Sequence, residues 1–107
     1  MVMINQEIKN NFYVAYSLGS GDSSSTSELL VRGFETQGKS RNEIVQRLTE
    51  ILNNQEGINT LVSVLVIGML SARSNHSSLL GIDQNDLNVF VKNNLISVIE
   101  KSIKICS

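Results

Sequence analysis

Not one of the 107 residues is proline. Proline is the residue that removes a backbone donor and collides with the preceding turn, so its absence leaves long uninterrupted helices open to this chain. The spacing of apolar residues uses that freedom. Ile4, Ile8, Phe12, Ala15 and Tyr16 fall on one stripe of a helix. Gly19 and Gly21 follow, and glycine takes a left-handed C-terminal turn without steric cost, so the first helix is expected to end there. Tyr13 and Val14 lie off the stripe, which also leaves open a strand ending at Leu18.

The next stretch, "GSGDSSSTSELL", reads as a Gly/Ser connector that ends in a helix cap. Ser25 and Glu28 have the capping-box spacing, in which the hydroxyl accepts from the Glu amide and the carboxylate reaches back. The second helix is expected over about 26–36, with Leu29, Leu30 and Phe34 inward and Glu28, Arg32 and Glu35 at ion-pairing distance outside. Gly38 is its expected stop. Ser40 and Glu43 repeat the cap, and Ile44, Val45, Leu48, Ile51 and Leu52 give a third apolar face. Glu43, Arg47 and Glu50 line its outside, and Gly57 is its expected end.

The run "LVSVLVIGML" at 61–70 is half the length of a membrane span and is read as a buried element. Its β-branched residues Val62, Val64, Val66 and Ile67 would suit a strand. A lone strand has no partner for its backbone groups, so a helix over about 58–73 is expected. Residues 71–81 are polar, with Leu79 and Leu80 expected to pack back on the core. Asp83 then caps a fifth helix whose face is Leu87, Phe90, Val91, Leu95, Val98 and Ile99, with Lys101 and Lys104 suited to its C-terminal dipole. The expectation is an all-α protein, a single compact bundle of about five helices forming one domain over 1–107.

Several function classes are disfavoured. With 9 basic and 10 acidic residues the net charge is −1, which creates no general field for nucleic acid. A helix-turn-helix around Gly38–Arg41 would put Lys39, Arg41 and Arg47 on phosphates and Asn42 and Gln46 on bases, but Glu43 and Glu50 share that face. The Gly/Ser loop has Asp22 where a phosphate loop needs a cation, and it lacks the third glycine of a dinucleotide fingerprint. His76 is the only histidine and is read as a solvated loop residue, so no metal or other cofactor is expected. No nucleophile with a positioned base is legible, and the chain is read as not an enzyme. The start, "MVMINQEIKN", has neither the basic nor the apolar region of a secretory leader. The lone Cys106 has no internal partner, which suits a reducing cytoplasm, and a frayed exposed thiol is expected there.

What remains is surface. Acids gather early, with Asp22 unpaired in sequence, so a partner carrying a basic cleft would be drawn to the loop and second helix. Asp22, Glu28 and Glu35 are the candidate contact carboxylates, and Tyr13 is a candidate aromatic anchor. The wording "IKNNFY", "ILNNQEGIN" and "KNNLISVIEKSIKI", in a short, helical, slightly acidic chain, resembles the small cytoplasmic immunity proteins of bacterial toxin systems, including contact-dependent growth inhibition. That resemblance implies one cognate protein toxin as partner, often a nuclease, masked at or beside its active site; the charge balance and the short apolar run give no expectation of a nucleic-acid or membrane partner. The alternative is a helical adaptor or oligomeric regulator that uses the broad apolar faces of the fourth and fifth helices, with the DNA-binding regulator as a third class.

Overall fold

The computed structural model describes residues 4–19, 22–72 and 84–107, and all the regular structure there is helical. Five helices run in order: α1 (Gln6–Gly19), α2 (Ser23–Thr36), α3 (Arg41–Leu52), α4 (Gln55–Ala72) and α5 (Gln84–Cys106). The all-α bundle is as expected, and the strand alternatives at Leu18 and at 61–70 are not. The Cα radius of gyration, 13.4 Å, matches the value of about 13 Å for a compact fold near 100 residues. The expected packing of Leu79 and Leu80, the Asp83 cap and the loop position of His76 all lie outside the described residues.

The longest helix, α5, is the hub. It packs against α2, α3 and α4, while α1 packs against α2 and α4. The core gathers the periodic residues: Ile8, Phe12 and Ala15 from α1, Leu30 and Phe34 from α2, Ile44, Leu48 and Ile51 from α3, Leu61 and Leu65 from α4, and Leu87, Val91, Leu95, Val98 and Ile99 from α5. Phe90, expected on that last face, is instead 61% exposed. At about 100° per residue, Leu87, Val91, Leu95 and Val98 centre one stripe, and Phe90 falls well outside it.

Helix ends follow local chemistry, with three corrections. α2 is capped by Asp22, whose carboxylate accepts from the Ser25 N–H at 2.8 Å. The expected Ser25–Glu28 box therefore does not form, and Ser23, Ser24 and Ser25 make the first helical turn. An aspartate at the cap satisfies the amide and also meets the positive end of the dipole, so it outcompetes a hydroxyl three residues later. Gly57 does not end α3. It lies buried in the first turn of α4, donating its N–H to the Asn54 side chain at 3.0 Å. Gly19 does end α1, but without a left-handed turn. A Cβ built there would lie 2.3 Å from Thr26 Oγ1 and 2.9 Å from Thr26 Cα. The glycine is needed because the two backbones touch.

The other two expected boundaries form as read. Gly38 has φ +85°, its N–H bonds the Glu35 carbonyl at 3.0 Å, and the Lys39 N–H bonds the Phe34 carbonyl at 3.1 Å. That double closure is a Schellman motif. Ser40 accepts from the Glu43 N–H at 3.2 Å while its hydroxyl donates to Glu43 Oε1 at 3.3 Å.

Polar side chains also join helices across the bundle. Asn11 and Gln37 exchange two amide hydrogen bonds, at 2.9 and 3.0 Å. The Tyr16 hydroxyl donates to Asn94 Oδ1 at 2.6 Å, and burial pushes that phenol above the ordinary tyrosine value. Ser27 and Ser102 are fully buried at the α2–α5 contact, where each hydroxyl lies within bonding distance of the Val98 carbonyl, at 3.2 and 2.8 Å. Small side chains let those helices approach, and backbone carbonyls satisfy the hydroxyls, Ser23 being the nearer acceptor for Ser27 and Val98 for Ser102.

Candidate functional site

The four residues singled out in sequence do not form one surface. Asp22 is exposed but occupied: it caps α2, and its hydrogen bonds from Ser25, with help from the Lys101 charge, hold its carboxyl below the usual range. Lys101 was expected to serve its own helix end. It reaches across instead, donating to the hydroxyls of Ser23 at 2.7 Å and Ser24 at 3.3 Å. Glu35 pairs with Arg41 at 3.6 Å rather than with Arg32. Among the described residues this is the one ion pair, so neither the expected Glu28–Arg32 pairing nor that of Glu43, Arg47 and Glu50 forms. Both its partners are exposed, which makes it a weak contact. Arg41 also donates to the Ile105 carbonyl at 3.2 Å, tying a cation that a DNA-binding reading would place on phosphate. Glu28 is exposed.

Tyr13 is exposed too, but on the wrong side of α1. The face of α1 turned to α2 is marked by Asn11, which bonds Gln37 and lies beside Gly33, and by Gly19 against Thr26. Tyr13 stands two residues on from Asn11, about 200° around the helix. It therefore leaves α1 on the side away from α2.

The same geometry reveals a surface that the sequence reading missed. Val14 and Leu18 are 52% and 68% exposed. They sit beside the Asn11–Ala15–Gly19 stripe, on its solvent side. On α2, Leu29 lies next to the stripe of Thr26, Leu30 and Gly33 that meets α1, again on the solvent side, and is only partly covered. The antiparallel register set by Gly19 against Thr26 and Asn11 against Gln37 brings these three side chains to the outer seam of the α1–α2 pair. Asp22 closes one end, its N–H bonding the Gly19 carbonyl at 3.0 Å. The signal was present in the i, i+4 spacing of Val14 and Leu18, which an expectation of burial on the opposite stripe left unused.

Cys106 differs from its expectation. It is the last residue of α5 and is buried, and desolvation raises its thiol, opposed by the nearby Arg41 charge. Among the described residues no group of three or more His, Cys, Asp or Glu gathers as a metal site, and no helix is long and apolar enough to cross a membrane.

No protein-family model, curated protein or solved structure matches this chain.

Proposed function

We propose that this chain works by binding another protein, as a cytoplasmic immunity protein that holds a cognate bacterial toxin inactive, a nuclease being the expected activity. The observation that supports a binding role is the outer seam of α1 and α2, where Val14 and Leu18 project into solvent beside Leu29. Exposed aliphatic side chains clustered on a rigid helix pair, with a carboxylate at their end, suit an interface core with a charged rim. Asp22 then contributes as a rim charge that favours a basic partner, while its cap fixes the head of α2. The format of the chain, short, helical and near neutral, agrees with that reading.

The test is capture of tagged protein with its bound partner from the native cytoplasm under a high-salt wash. One stoichiometric partner whose toxic activity is neutralised by added protein is the expected result. The Val14→Ser/Leu18→Ser variant is expected to bind at least tenfold more weakly with its melting temperature nearly unchanged, because both side chains are exposed. Full affinity in that variant would move the contact elsewhere. A second reading, self-association as an oligomeric regulator, rests on Val89 and Phe90, which are 59% and 61% exposed on α5. Light scattering separates the two, since only the second predicts a concentration-dependent mass for the purified chain.

A further inference from the structure

We draw no further inference here: the strongest candidate, the exposed apolar patch of Val89 and Phe90 on the solvent face of α5, carries nothing because nothing in the structure shows what covers it.

Discussion

Replacing Gly19 by alanine tests the close backbone contact between α1 and α2. Alanine normally improves a helix, by about 0.5–1 kcal/mol over glycine. Here the added Cβ would stand 2.3 Å from Thr26 Oγ1, 2.9 Å from Thr26 Cα and 3.0 Å from its backbone N. A hydroxyl can rotate away, but the backbone cannot. Ordinary carbon contacts need about 3.5–4.0 Å, so α1 and α2 must separate by up to about 1 Å, and a gap of that size forfeits a quarter to a half of the dispersion attraction across it. Overpacking of this kind costs about 1–3 kcal/mol, which outweighs the propensity gain and leaves a net loss of roughly 1–2 kcal/mol. For a domain of this size that lowers Tm by roughly 5–15 °C.

Gly33→Ala is the internal control. It lies within α2, and its Cβ would meet no backbone atom of α1, only the Asn11 side chain, with Oδ1 at 3.3 Å and Cγ at 3.7 Å. That side chain is paired with Gln37 and must shift slightly, which offsets the propensity gain, so Tm should change much less than in Gly19→Ala. Thermal unfolding followed by circular dichroism measures both. Adding Thr26→Ala to Gly19→Ala removes the 2.3 Å clash and leaves the two backbone contacts, so only part of the loss should return. A wild-type or higher Tm for Gly19→Ala would refute the reasoning, and full rescue by Thr26→Ala would show that the hydroxyl alone set the spacing.

Three further outcomes are expected. Tyr16 has a raised folded value, so its contribution is complete below the ordinary tyrosine value near 10 and is lost as pH climbs through the folded value. In Tyr13→Phe, where Tyr16 is the only tyrosine left, tyrosinate absorbance should appear together with loss of helical ellipticity rather than before it. Tyr16→Phe should cost about 0.5–1.5 kcal/mol for the lost bond to Asn94, read by urea denaturation. Asp22 has a lowered folded value, so its stabilisation is present above the unfolded value near 3.9 and fades as pH falls through the folded one. Asp22→Ala should therefore lower Tm at pH 7, Asp22→Ser should restore most of it, and the Ala–wild-type difference should close in acid. A double-mutant cycle on Asn11 and Gln37 should give a coupling of about 1 kcal/mol, since removing Gln37 leaves the buried Asn11 amide without its partner.

The bundle was legible because its information is periodic and local. Spacing alone places Phe12, Ile44, Leu48 and Leu95 inward, and all are fully buried. Gly38 was read correctly because a helix stop depends on one residue's φ. The misreadings at Gly19 and Gly57 share a cause. Spacing shows that a position tolerates glycine, but not whether the reason is a turn or a neighbour's backbone. At Gly19 the reason is Thr26, which lies in the following helix. The pattern of Ser23 to Ser27 failed in a related way. Serines read as a loop when taken singly, yet Ser27 is core, because Ser102 of α5 arrives opposite it with equally little volume.

Candidate contact residues were harder to read, for an electrostatic reason. A charge is free for a partner only after the fold has taken what it needs, and that demand comes from residues far along the chain. Glu35 seemed to belong with Arg32, but the turn at Gly38 delivers Arg41 to it. Asp22 seemed unpaired, but the cap takes one of its oxygens and Lys101, on another helix, lies within reach of its field. Apolar exposure follows the opposite logic. Val14 and Leu18 stay exposed because α2 takes the neighbouring face of α1, at Asn11 and Gly19. The close packing that places Thr26 against Gly19 is thus what leaves Val14, Leu18 and Leu29 at the surface. A variant that separates α1 from α2 should therefore weaken partner binding without touching a contact residue, and Gly19→Ala provides that separation.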